Sequence, residues 1–198
     1  MNIVFDLGGV VFEWQPDAIV QSVFEDPQTQ RAARAGIIGH PDWIELDRAT
    51  MTRDQAIDRG AARTGIPRQD VTRLFDAVPP SLTPIEETIR LVSLLRDTNN
   101  KLFILSNMHL ATIAYLEREH TIWPMFDEII ISSRIRKVKP EIEIYEHLLA
   151  TYQLSAAETI FIDDTDDNVA AASSIGIQTI RFVDPAQCRQ ALADLECM

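Results

Sequence analysis

Four clusters of polar residues stand at the ends of apolar runs or just after them. Ile3-Val4-Phe5 ends on Asp6, Leu102 to Leu105 on Ser106-Asn107, and Thr159 to Ile162 on Asp163-Asp164. Lys139-Pro140 follows a further run, Ile129 to Ile131. Brought into one cleft, Asp6, Asp163 and Asp164 would be three carboxylates beside one lysine. Carboxylates that close cannot all ionise without a counterion. A hard divalent cation supplies the missing charge, and Mg2+ fits best, because it takes few carboxylates, several waters and a substrate phosphate. Together with Lys139 it would hold a phosphate against Asp6. Ser106 and Asn107 would add neutral donors, as would the backbone N–H groups of the helix that follows. A carboxylate attacking phosphorus gives an aspartyl-phosphate that water then cleaves. Positioning and charge neutralisation would carry most of the rate.

Each cluster alone has a plainer meaning. A lone Asp6 would cap a turn. Ser106-Asn107 is an ordinary helix entry, and Lys139-Pro140 an ordinary loop before a helix. Asp166 and Asp167 favour the N-terminus of the helix that begins there. Only Asp163-Asp164, two adjacent acids closing a buried type of strand, resists such a reading. The chemistry therefore rests on the set and its order. Other motifs are missing: there is no EF-hand glycine with its distal glutamate, no Gly-Lys-Ser/Thr loop, no Gly-x-Gly-x-x-Gly and no Gly-x-Ser-x-Gly elbow. His40, His109, His120 and His147 lack metal-ligand spacing and read as surface or interface residues.

The elements that must position these residues are five strands separated by helices. A last strand, Gln178 to Phe182, joins the four runs already named. Continuous apolar runs suit strands buried on both faces of a parallel sheet. Helical patterns cover Pro84 to Arg96, Ala111 to Glu119, Ile142 to Tyr152, Asn168 to Ile175 and Pro185 to Leu195. The alternation defines a doubly wound, Rossmann-like α/β fold, a three-layer α/β/α arrangement. In such sheets ligands collect at the carboxyl ends of the strands.

The spacing is uneven. Between the first strand and the helix before the second lie residues 16–78. Helical patterns fill them: Asp17 to Phe24, Gln28 to Ala35, Trp43 to Arg48, Arg53 to Thr64 and Gln69 to Ala77. Thr52 and Gln55 form a capping-box signal. A structureless loop of that length is improbable. The expected division is an α/β core of residues 1–15 and 79–198 and a small helical cap, 16–78, lying over the strand ends.

Composition narrows the partners. The 198 residues hold 30 acidic and 18 basic side chains, a formal net charge of −12. That argues against nucleic acid or an anionic membrane surface, which need a basic patch. No apolar run reaches membrane-spanning length. Cys188 and Cys197 offer no metal spacing and no expected disulfide. The first strand starts at the second residue, leaving no room for a signal peptide. A reducing cytoplasm is the simplest placement, a small-molecule phosphate the expected partner, and a monomer or homodimer the expected state.

As a set, these motifs resemble the haloacid dehalogenase-like hydrolase superfamily. The resemblance spans essentially the whole chain. It rests on Phe5-Asp6-Leu7-Gly8-Gly9-Val10, Leu105-Ser106-Asn107, Lys139-Pro140-Glu141 and Phe161-Ile162-Asp163-Asp164 through Asn168-Val169. The wording is similar to bacterial sugar-phosphate phosphatases, including the glucose 1-phosphate type, and to the phosphatase domain of bifunctional epoxide hydrolases. The resemblance implies Asp6 as nucleophile and metal ligand, with the Gly8 carbonyl and Asp164 completing the metal set and Asp163 behind them. It implies Ser106, Asn107 and Lys139 as phosphate binders. In most phosphatases of the superfamily a second aspartate, the general acid, sits two residues after the nucleophile. Here that position is Gly8. Such an acid contributes about 10²–10⁴-fold; a readily departing anomeric phosphate, water or a cap residue would have to compensate, and Glu13 is one candidate. Specificity is expected from Trp14, His40, Trp43 and Glu45, with Trp43 doubling as cap core. The alternatives are a metal-independent 2-haloacid dehalogenase, which Asp163-Asp164 argues against, and a degenerate phosphate- or partner-binding module. A Schiff-base phosphonate hydrolase needs a cap lysine, and the only lysines are Lys101, Lys137 and Lys139. A receiver domain would place its acidic pair before the acceptor, not last.

Overall fold

The computed structural model describes all 198 residues. Five parallel strands form one sheet in the order β3-β2-β1-β4-β5: β1 Asn2–Phe5, β2 Lys101–Ser106, β3 Glu128–Ile131, β4 Thr159–Asp163 and β5 Gln178–Arg181. The helices are α1 Pro16–Val23, α2 Pro27–Ala33, α3 Asp42–Asp47, α4 Arg53–Thr64, α5 Arg68–Ser81, α6 Glu86–Arg96, α7 Leu110–Glu119, α8 Ser132–Ile135, α9 Ile142–Tyr152, α10 Asp166–Ser174 and α11 Pro185–Asp194. β1 is central and pairs with both β2 and β4, with Phe5 opposite Ile104 on one side and Ile162 on the other. The strand order therefore reverses at β1, and a crevice opens there outside the carboxyl ends.

Alternation along the strands feeds two cores. Ile3, Phe5, Leu102, Ile104, Ile160 and Ile162 face one side, which holds α6, α7 and α11 and continues into the cap. Val4, Phe103, Leu105 and Phe161 face the other, against Ile144, Tyr145 and Leu148 of α9 and Ala172 of α10. Side chains of successive strand residues point to opposite faces, so helices cover both and the three-layer reading holds. No helix is long and apolar enough to cross a membrane. Both cysteines are free and buried.

Residues 16–81 are helical, and the chain that enters and leaves this insertion is paired. Glu13 N–H donates to Thr83 C=O at 2.8 Å and Ile85 N–H to Val11 C=O at 2.9 Å. Thr52 and Gln55 form the capping box of α4. Two local readings change. α5 runs to Ser81, past the expected helix end at Ala77, because the fixed φ of Pro79 and Pro80 suits a last helical turn even though their ring nitrogens donate nothing. The pattern from Gln28 to Ala35 divides: α2 ends at Ala33 and a π-helical turn, Arg34–Ile38, follows. Such turns recur at functional sites, and this one turns Arg34 and Ile38 toward the strand ends.

Candidate active site

A cavity of about 300 Å³ lies between the strand ends and the cap. Asp6, Gly8, Asn107, Lys139 and Asp164 line its floor, and Trp14, Ile38, Trp43, Asp47, Val78 and Leu82 are among its walls. The floor is built by strand ends. Asp6 follows β1, Asp163 ends β4, and Lys139 comes from the loop after α8.

Lys139 is 1% exposed. Its Nζ lies 2.8 Å from Asp6 Oδ1 and 2.7 Å from Asp163 Oδ2, with the Phe161 ring 5.4 Å away. Burial pulls the Lys139 pKa down, but Asp6 and Asp163 outweigh it and hold the ammonium above its usual range. Asp163 is fully buried and saturated. It accepts from Lys139 Nζ, from Thr165 N–H at 2.8 Å and from Asn168 Nδ2 at 3.0 Å. Its role in this geometry is to hold Lys139. Asp6 Oδ1 accepts from Leu7 N–H at 2.7 Å, and Oδ2 has no donor within the chain. The two oxygens of the Asp6 carboxylate thus differ: one is fixed and one is left for a ligand.

Oxygens of Asp6, Asp163 and Asp164 lie within 4.8 Å of one another. Burial pushes Asp6 up to about 7; Lys139 opposes this, and Asp163 and Asp164 add to it. Burial, then Asp163, raises Asp164 as well. Three carboxylates and one ammonium leave an excess of negative charge in a low-dielectric pocket, the arrangement a hard cation relieves. The carbonyl of Gly8, on the cavity floor, accepts no backbone hydrogen bond. Gly9 has φ +81°, and a Cβ there would lie 2.3 Å from Asp164 Oδ2, so the glycine is what lets that carboxylate settle over the turn. This donor set fits a divalent cation.

The other residues singled out by sequence divide. Asn107 reaches the cavity, but its amide is engaged: Nδ2 donates to Lys139 C=O at 2.9 Å and Oδ1 accepts Lys139 N–H at 2.8 Å. It fixes the lysine loop first. Ser106 is buried at the end of β2 and does not line the cavity. Trp14 and Trp43 do line it, 6.1 Å apart. His40 and Glu45 do not. The His40 ring accepts Asp42 N–H at 3.1 Å, and Glu45 turns to Thr50 and Arg48. Glu13 lies outside this cavity, bonded to Gln15 at 3.0 Å. Short local hydrogen bonds, within the cap for His40 and Glu45 and just before it for Glu13, engage all three.

Sequence reasoning missed Asp47 and misjudged His109. Asp47, at the end of α3, is 6% exposed, and His109 is 8% exposed. His109 is covered by the Trp43 ring, 4.4 Å between centroids, and by Phe75. Asp47 Oδ1 lies 3.1 Å from His109 Nε2, out of line for a good hydrogen bond. The one signal available was Asp47 at the end of an amphipathic cap helix, a short one.

Residues 3–182 match the model of the haloacid dehalogenase-like hydrolase family, and the chain belongs to that family of enzymes. It is similar to a sesquiterpene phosphatase of Aspergillus oryzae, 30% identical over 184 residues, which cover 91% of this chain and 89% of that one. It is also similar to the D-ribitol-5-phosphate phosphatase of Bacteroides thetaiotaomicron, 23% identical over 208 residues and covering 96% of each. Among solved structures, a haloacid dehalogenase family enzyme from Bacteroides thetaiotaomicron, an aspartate-to-alanine mutant in complex with magnesium and inorganic phosphate, superposes with a TM-score of 0.72. The pair is 19% identical, and 90% of this chain and 92% of that one are covered.

Proposed function

We propose that this enzyme is a magnesium-dependent phosphomonoester hydrolase that works through an aspartyl-phosphate on Asp6. The observation that carries the reading is the Asp6–Lys139–Asp163 chain, which pins one oxygen of Asp6 and leaves the other unpaired at the cavity floor. Asp6, Asp164 and the Gly8 carbonyl are the residues that would hold Mg2+. When bound, Mg2+ would add positive charge against the phosphoryl oxygens and the clustered carboxylates. Lys139 would steady both Asp6 and the phosphate. The backbone N–H groups leading into α7 would donate to the phosphoryl group; Ser106, beneath the cavity floor at the end of β2, would join them only if its free hydroxyl reached the bound phosphate. The two relatives named above are phosphatases, which supports this class.

The walls favour an apolar alcohol. Trp14, Ile38, Trp43, Val78, Leu82 and Met108 face the space above the floor. A second cavity of about 820 Å³, with Leu46, Met51, Phe75, Leu110 and Tyr115 in its walls, shares His109 and Thr112 with the first. Arg34 and Thr112 of the first cavity are partners that sugar hydroxyls could use, while burying a hydrocarbon against the apolar side chains is favourable at about 25 cal/mol per Å². The similarity to a sesquiterpene phosphatase points the same way. A sugar or polyol phosphate is the second reading, favoured by the similarity to a ribitol-phosphate phosphatase. The test is hydrolysis of p-nitrophenyl phosphate and of a panel of alkyl, terpenyl and sugar phosphates with Mg2+ or EDTA. The expected result is turnover that EDTA abolishes, with apolar phosphates ahead of sugar phosphates. Metal-independent chloride release from a 2-haloacid, with no phosphate release, would establish the dehalogenase alternative instead.

A further inference from the structure

The glycine at position 8 leaves the usual general-acid position empty, yet a buried cap carboxyl, Asp47, lines the same cavity. We infer that Asp47, supplied by the cap, is the general acid of this enzyme and that His109 positions it. The inference rests on the phosphatase reading and deepens it.

Four observations support the assignment. Asp47 lines the cavity together with Asp6, Gly8 and Lys139, close enough to feel the charges of Asp6 and Lys139, and comes from the cap, which would cover the alcohol of a phosphate held at the floor. Its backbone is anchored to the core. Ser132 Oγ donates to Asp47 C=O at 2.7 Å and accepts Met108 N–H at 3.0 Å. That hydroxyl ties the end of α3 to the segment that carries His109. The imidazole packs against Trp43, which itself stacks on Phe75, and this packing sets Nε2 3.1 Å from the Asp47 carboxyl, in contact but out of line for a hydrogen bond. Finally, the surroundings favour the uncharged form of both groups. Burial, then Asp6, pushes Asp47 well above the usual carboxylate range, against the pull of Lys139. Burial pushes His109 down to about 3. Both shifts favour a carboxylic acid beside a neutral imidazole over an ion pair. A carboxylic acid kept protonated near neutral pH is the form a general acid needs.

The proton account closes. As the unpaired oxygen of Asp6 bonds to phosphorus and the P–O bond to the alcohol breaks, the Asp47 proton passes to the alcohol oxygen, leaving a neutral alcohol and an Asp47 carboxylate. That carboxylate then removes a proton from the water that attacks the aspartyl-phosphate. Inorganic phosphate leaves, Asp6 returns as a carboxylate and Asp47 as an acid. The role falls to the cap rather than to the floor, on a residue whose backbone is tied to the core through Ser132.

The leaving group supplies the test. p-Nitrophenolate departs without a proton, whereas an alkoxide does not. Wild type and Asp47→Asn are compared on p-nitrophenyl phosphate and n-hexyl phosphate with Mg2+, reading kcat/KM, which covers steps only through departure of the alcohol. Asp47→Asn should lose about 10²–10⁴-fold on hexyl phosphate and less than about threefold on p-nitrophenyl phosphate. The second value also shows that the variant is folded. Equal losses on both substrates, or none on hexyl phosphate, would overturn the role of Asp47 while leaving the phosphatase reading intact. A wild type that splits neither phosphate would remove the phosphatase reading and this inference together. His109→Gln should reproduce the leaving-group split in weaker form and shift the alkaline limb of the hexyl phosphate pH profile, which a purely structural role would not move.

Discussion

On the core side of the cavity, the Lys139 ammonium is held between the carboxyls of Asp6 and Asp163. On the cap side, Asp47 and His109 face each other beneath Trp43, and both sit in surroundings that suppress charge. The two walls are about equally dry, so burial alone does not explain the difference. What differs is the partner. The core acids have an ammonium and a backbone N–H aimed at them, whereas the cap acid has an imidazole and aromatic rings. A single cavity thus sets a floor of carboxyls against an ammonium, and a cap carboxyl against an imidazole and aromatic rings. Division of labour between two carboxyls by environment is a general device in hydrolytic sites.

The comparison can be broken from either side, and the larger effect lies in the core. Lys139→Met leaves Asp6 and Asp163 facing each other without a cation. Breaking a buried ion pair by removing one partner costs about 3–5 kcal/mol. Urea unfolding should show a loss of that size, and phosphate release should fall to background. A loss below about 1 kcal/mol would mean that the core wall behaves like a surface ion pair.

On the cap side the effect is smaller and has a sign. Burial holds the folded Asp47 carboxyl well above its usual range, whereas the unfolded chain releases that proton above about pH 4. Folded Asp47 therefore binds more protons than unfolded Asp47, and its contribution to stability falls as pH rises from there toward the raised folded pKa. Asp47→Asn removes that dependence. Melting temperatures of the two proteins should converge near pH 4, and the variant should be the more stable near pH 8. A wild type that gains on the variant as pH rises would mean an ionised, paired Asp47 and would erase the contrast between the walls.

How much of this was legible in the sequence follows from the same two regions. The core side was readable because strand ends do the placing. Once the five apolar runs are strands of one parallel sheet, Asp6, Ser106 and Asp163 have nowhere to go but its carboxyl edge, whatever their separation in the chain. The structure keeps those strands at nearly the expected residues. The cap side was not readable in this way. A helical insertion gives periodicity but no edge, and Asp47 is one of 30 acidic residues with nothing local to single it out. His109 opens a helix and has a polar ring, so it reads as surface; only the packing of Trp43 over it makes it buried. Asn107 shows the same limit inside the core. Its amide is fixed by the backbone of Lys139, a partner 32 residues away that no local pattern names. Trp14 and Trp43 were found because large aromatics near a site have few other places to be. His40 and Glu45, chosen by the same logic, are drawn into short-range bonds within the cap.

The central claim is that the unpaired oxygen of Asp6 accepts the phosphoryl group. Its most direct measurement is phosphate release from p-nitrophenyl phosphate, in Mg2+, by wild type and by Asp6→Asn, each shown to be folded by circular dichroism. Wild-type turnover with the variant at the no-enzyme background is the predicted result. Equal turnover by the two proteins would contradict it.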